Sequence, residues 1–568
     1  MWLWDYLLDL SLKINLMNWT IKPLLFLLIC SHLFSGEYSI KDSYNSLFES
    51  SFPIHATLHI NNLIRKGATE LTDEEKERLS EIGLSFKGNK IISVKPTDLD
   101  QYYETDHFRI HFTLDESSND AVENEDYVVS MGEVFENVWS FHIDSMGFDP
   151  PPINSNNNHD LYEIYLLYLS PQYFGVTHGV PNGSSCHGYI EMRNSYSATQ
   201  FNDHTELENI QVTAVHEFFH AIQFGYNCYE EFWYMEATAT WSEDELYNDV
   251  NDFYRYIPTF FNNPYDAINT QGIHMYGTCI FFQYIDEHLG GLETIARSWD
   301  YSRDYASSPY DNSFKAINAA LEDENSSIES AVNQMRVANQ ILSSSQSAGV
   351  YRYEEADGYL TVVNPPPKEK YFIFEKGDID EITKFSLQLY GSHYYSLSTD
   401  SPVSLTLTKE NGDFSFTSIL KKSGTDQWIV TNGLELNIDP NIGYDWITLI
   451  VSAIGENEND WDYSIRLEDG FSEDFTFYPP FPNPSNGQNV NFDFQVITDQ
   501  TIEFKILDIL GHEIWHFSNS YSEPEVVNLI WNGKNKTGKR VSNGVYFGWM
   551  KGKSNQKVQK FTLLKKSD

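Results

Sequence analysis

His216-Glu217-Phe218-Phe219-His220 is the stretch whose residue types and spacing can do chemistry. On a helix, positions i and i+4 share one face, so both imidazoles can point at the same spot. Two neutral imidazoles so placed fit a tetrahedral zinc ion. Glu217, beside the first histidine, can reach a zinc-bound water and take its proton. A third ligand should follow on a second helix, and Trp233-Tyr234-Met235-Glu236-Ala237-Thr238-Ala239-Thr240-Trp241 supplies one. Residues 221–235 leave room for a turn and a returning helix before Glu236. Its carboxylate completes a His2Glu set with the fourth position left to water. The competing reading pairs a buried Glu236 with a base, but residues 226–254 contain no Lys, Arg or His. A metal is the better partner for a buried carboxylate there.

These side chains need a helix, and the sequence writes one. Thr205-Glu206-Leu207-Glu208 has capping-box spacing. Apolar residues recur at Leu207, Ile210, Ala214, Val215, Phe218, Phe219, Ile222 and Phe224, and Gly225 is a natural stop. A helix this apolar is buried on most sides, so its polar groups need partners. Upstream, His107–Phe112 alternates as a strand with one buried face, its histidines on the solvent or salt-bridged side. Residues 119–146 predict an amphipathic helix striped by Val128, Met131, Val134, Phe135, Val138 and Trp139. Leu161–Leu169 and Gly188–Met192 read as further strands. After Glu236 comes Glu243-Asp244-Glu245. Thr240 or Glu243 could accept the outer N–H of a metal-bound histidine, but a solvated acidic helix end is the favoured reading of that run. Helices follow at 278–288, 313–321 and 325–342.

The run H-E-F-F-H-A-I-Q-F-G-Y, followed by E-A-T-A-T-W, resembles a family of secreted bacterial zinc metalloproteases of the gluzincin type, over about Tyr102 to Leu342. The resemblance implies a zincin-like α+β fold, with His216, His220 and Glu236 as zinc ligands and Glu217 as general base. Gluzincins commonly place an oxyanion donor downstream of the third ligand. Tyr276 or His274, in His274-Met275-Tyr276-Gly277, could fill that place. In zincins an edge strand beside the zinc helix often pairs with substrate backbone. Gly188–Met192, the last strand before that helix, is the candidate.

Length and composition bound the rest. At 568 residues two to four domains are expected. The net charge of −45 repels nucleic acid and anionic membrane, so neither is an expected partner. Acidic loops such as Asn154 to Asp160 make calcium a second candidate ion, without EF-hand spacing to support it. Of four cysteines, Cys30 falls in the leader; either Cys228 or Cys279 could pair with Cys186, or the thiols could be free.

The first 36 residues read as a signal peptide: Lys22, the apolar run Pro23–Cys30, then Ser35 and Gly36, too short to span a bilayer. Met17 makes a better start than Met1. Export through the periplasm to the cell surface or medium is expected, without a transmembrane anchor. Residues 37–97 read equally as a propeptide shielding the zinc or as an N-terminal support. The metallopeptidase domain is assigned to 98–345. From 350 to 470, short strands between Gly, Asp and Asn turns predict a β-sandwich. Residues 474–568 form a second β unit, opening at Tyr478-Pro479-Pro480 and carrying Trp531-Asn532-Gly533 and Gly544-Val545-Tyr546. This unit resembles the C-terminal sorting domains of type IX secretion cargo, and equally the Ig-like domain of flagellar hook-capping proteins. The former implies the type IX machinery as a partner. The expectation is thus an exported zinc endopeptidase acting on protein or peptide substrates. The alternatives are a surface adhesin with a non-catalytic zinc site, or a zinc hydrolase of another kind.

Overall fold

The computed structural model describes residues 38–49, 56–154, 158–306, 313–455, 461–470, 474–481, 483–486, 489–523 and 525–564. The leader expected over 1–36 lies outside them, as does part of the Asn154–Asp160 loop. The chain is α+β at its N-terminal side and all-β beyond residue 370. No described helix is long and apolar enough to cross a membrane.

The N-terminal unit holds α1 (Ile40–Glu49), α2 (Thr57–Lys66), α3 (Asp73–Glu81) and the hairpin β1 (Leu84–Lys87)/β2 (Lys90–Ser93). α3 begins at the capping box of Thr72 and Glu75, with three acidic residues in its first turn against the helix dipole. Its core of Tyr44, Leu47, Ile60, Leu63, Leu79 and Leu84 continues into Tyr173 and Val176 of the next unit.

That next unit is built on a five-stranded sheet: β3 (Gln101–Glu104), β4 (Phe108–Phe112), β5 (Tyr162–Leu167), β6 (Gly175–Asn182) and β7 (Ser185–Arg193). The order is β3-β4-β5-β7-β6, parallel at β4/β5 and β5/β7 and antiparallel at both edges. Gly188–Met192 therefore lies in an interior strand, which corrects its assignment as the substrate edge. The edge is β6, whose sequence GVTHGVPN carries two glycines and a proline and so hides its strand character. His107 and His111 sit on the half-exposed side, His107 paired with Glu136 at 2.7 Å.

α4 (Glu125–Trp139) crosses the sheet. It starts at Asn124, which accepts from the Tyr127 N–H, and ends in a π-helical turn, Ser140–Ser145. The helix is thus shorter than the 119–146 expected, because the Asn124 cap fixes its start. α5 (Glu206–Asn227) lies on β6 and β7 and packs against α6 (Phe232–Leu246). The Thr205–Glu208 capping box is present. α5 runs two residues past Gly225, whose missing side chain instead admits Pro152: a Cβ there would lie 2.8 Å from its Cδ. Leu207 stays half exposed.

Helices Cys279–His288, Leu292–Tyr305, Ser313–Asp323 and Ile328–Ile341 close the lower half of the unit. Next come two sandwich-like pairs of sheets, five strands on four and three on five, each around its own core.

Cys186 and Cys228 form a disulfide that ties β7 to the end of α5, and Cys279 is a buried free thiol. The bridge closes a separation of 42 residues. Replacing both cysteines by serine is expected to cost about 2–4 kcal/mol, read from chemical denaturation. An unchanged midpoint would show that the rest of the fold already holds these elements in register.

Candidate metal centre

Phe218 and Phe219, the two residues between the histidines, set the rotation of α5. Phe218 packs among Phe108, Trp139 and Tyr162, and Phe219 against Phe148 and His142. Burying each stabilises the docked helix by roughly 1.5–3 kcal/mol. His216 and His220 then face α6.

There they meet Glu236. One ligand atom from each of His216, His220 and Glu236 lies within 4.8 Å of the others, and among the described residues this is the one such cluster of three or more His, Cys, Asp or Glu groups. Glu236 Oε2 is 3.0 Å from His216 Nε2 and 3.7 Å from His220 Nε2. All three side chains are buried.

The outer nitrogens have partners of their own. His216 Nδ1 is 2.6 Å from Glu243 Oε1, and His220 Nδ1 is 2.7 Å from Gln223 Oε1. Gln223 donates its amide N–H groups to Met235 O and Thr238 Oγ1, which fixes its oxygen toward His220. His220 therefore carries its proton on Nδ1, leaving a lone pair at Nε2. The same tautomer on His216 donates to Glu243. Two imidazole lone pairs and a carboxylate oxygen then face one another in a dry interior. A cation between them would make that arrangement favourable. A His2Glu set with one position open suits zinc. This donor set fits the ion that the sequence implies.

Electrostatics agree. Burial alone would raise the Glu236 carboxyl, but the two histidines outweigh it and hold it below the usual carboxylate range. Burial drives the Glu243 carboxyl well above its usual range, opposed by Arg255 and reinforced by Glu236. A divalent ion on the far side of His216 would favour its ionised form. The solvated reading of Glu243 is thus overturned: it is buried and bonded to His216. Thr240 is also buried, and its hydroxyl has no hydrogen-bond partner among the described residues. Glu243→Ala is expected to weaken zinc binding by about 10–100-fold, measured by competition with a chromogenic chelator. Unchanged affinity would reduce Glu243 to a packing role.

Glu217 is hydrogen-bonded toward the sheet and α2. Its Oε2 accepts from Thr57 Oγ1 and Thr177 Oγ1, each at 2.7 Å. Gly175 makes room, since a Cβ there would lie 2.9 Å from Glu217 Cγ. Tyr276 lies beside the triad, its ring 6.4 Å from that of His216 and stacked on Tyr256. Burial, then the Glu236 charge, push its hydroxyl well above the ordinary range, so it stays a neutral donor. His274 is placed elsewhere. Its ring faces Phe260, and burial together with Arg336 lowers it to about 3.

Three contributors went unread in the sequence. Gln223 was legible in principle, three residues after His220 on the same helix face. Thr57 and Thr177 come from distant elements and carry no local signal.

No protein-family model and no curated protein matches the chain. Solved structures similar to parts of it include PorZ, a surface component of the type-IX secretion system of Porphyromonas gingivalis, at 18% identity over 18% of this chain and 14% of that one, TM-score 0.13. Dimeric latent PorU from the same organism matches at 15% identity over 29% of this chain and 18% of that one, TM-score 0.17. A glycosyl hydrolase family 2 member from Bacteroides cellulosilyticus matches at 9% identity over 28% and 26%, TM-score 0.14. The chain covers less than a third of each, and at these scores none bears on the site.

Proposed function

We propose that this chain is an exported zinc endopeptidase with a zincin-like catalytic unit. The observation that carries the reading is the convergence of His216, His220 and Glu236 within 4.8 Å, with the outer nitrogens of the two histidines already engaged by Glu243 and Gln223. When bound, zinc supplies a Lewis acid that polarises the scissile carbonyl and lowers the pKa of water to about 7. Glu217 takes the proton of the attacking water on its carboxylate and returns it to the leaving amine nitrogen. Tyr276, kept neutral, donates its O–H to the oxygen that becomes negative. The β6 edge offers main-chain N–H and C=O groups to an extended polypeptide. A purely structural zinc site would need a fourth protein ligand and no base beside it. The cluster offers three ligands, and Glu217 is next to it in sequence. The C-terminal β unit is read as the address for type IX export, on its sequence resemblance.

The test is an unstructured peptide library digested by purified zinc-loaded protein, with and without a chelator. It is run on the intact chain and after limited proteolysis, because Glu217 and the three ligands are all buried. Cleavage that stops with chelator and returns with zinc is expected. Cleavage indifferent to chelator, or a chain that binds no zinc, would overturn the reading.

A further inference from the structure

The N-terminal unit sits on the groups assigned to catalysis. The Thr57 hydroxyl donates to Glu217 Oε2 at 2.7 Å and accepts from the Thr177 main-chain N–H at 2.8 Å. Thr177 belongs to β6, the edge of the catalytic sheet, so its N–H is one that an extended substrate would use. One hydroxyl therefore holds both the proton acceptor and a main-chain donor of the edge strand. Thr57 is the first residue of α2, directly after the N-cap Ala56.

The contact is broader than one residue. Asn61 donates to Cys228 O at 2.8 Å. A Cβ on Gly179 of β6 would lie 3.0 Å from Asn61 Oδ1, so α2 lies close against the edge strand. His59 packs edge-on to Tyr38 and to Phe232, one turn before Glu236 on α6. Tyr38 stacks on Phe232 and accepts from the Gly272 N–H. Beneath these residues the three ligands and Glu217 have no solvent exposure.

We propose that Tyr38–Glu49 and Ala56–Ser93 form a latency cap, which occupies the polypeptide cleft along β6 and must leave before a substrate reaches Glu217. The proposal rests on the endopeptidase reading of that site. Two features suit a removable element. The cap joins the sheet through residues 94–100, which lack regular structure and are exposed or half exposed. His59 is buried with no hydrogen-bond partner for Nδ1 among the described residues, a cost in the docked state that release recovers. The occupied strand also names the substrate class: an extended polypeptide main chain, not a compact small molecule.

The experiment places a site for a sequence-specific protease across Pro96–Leu99 of the full chain. Zinc content, the rate of zinc removal by a chelator, and peptide hydrolysis are measured before and after the cut. About one zinc per chain throughout, removal at least ~10-fold faster after the cut, and hydrolysis only after it are expected. A second variant needs no cut: Asn61→Arg forces a long side chain between α2 and Gly179 and should speed removal in the intact chain. Bound zinc with the same removal rate in all forms, or full hydrolysis by the uncut chain, overturns the cap. Faster removal without any hydrolysis supports the cap and counts against the endopeptidase reading instead. A chain without zinc overturns both.

Discussion

Glu217→Gln, in protein whose N-terminal unit has been released, is expected to lower peptide turnover by about 10²–10⁴-fold while zinc content stays at about one per chain. The amide nearly matches the acid in size, so the packing against Gly175 survives. Its oxygen can still accept from Thr57 and Thr177, as Oε2 does in the native chain. What it cannot do is take a proton from water. The metal triad uses other side chains, and both histidines stay oriented by Glu243 and Gln223. Zinc measured by elemental analysis, beside steady-state hydrolysis, separates the two roles. Native turnover in the Gln variant would remove Glu217 from the chemistry.

Glu236→Ala is expected to abolish stoichiometric zinc binding and the thermal stabilisation that comes with it. In the native chain, zinc at 1,000 times its dissociation constant should add about 4 kcal/mol to folding stability by mass action. The Ala variant keeps two imidazoles but loses the one anionic donor, and no other His, Cys, Asp or Glu among the described residues joins the cluster. Scanning calorimetry with and without zinc, paired with elemental analysis, reads both effects. Retained zinc and a retained shift would mean that the ion sits elsewhere. The metal-free native chain should also be the less stable form, by the same mass action.

Much of the site is legible without coordinates because it is local. Helical geometry puts residues four apart on one face, so His216 and His220 converge wherever the helix docks. The Thr205–Glu208 cap marks where that helix starts. Glu236 is legible because it follows the first helix at the right distance, in a stretch without a base. Glu243 was misread for the opposite reason. A run of three acids normally lies in water, and only the packing of α6 into the helical layer buries its first two members, Glu243 of them beside His216. Burial of a charge is a property of neighbours, not of a run.

By itself the sequence determined the cluster of His216, His220 and Glu236, the helix that carries two of its members and the all-β character of the C-terminal third, since each follows from spacing, capping or alternation along the chain. Tertiary structure decided the rest: which strand forms the edge, which cysteine Cys186 meets, which of Tyr276 and His274 stands by the triad, and that Thr57 rests on Glu217 across a separation of 160 residues. Those outcomes depend on long-range packing, where one hydroxyl or one ring meets its partner only after the whole layer has closed, and no local period records them.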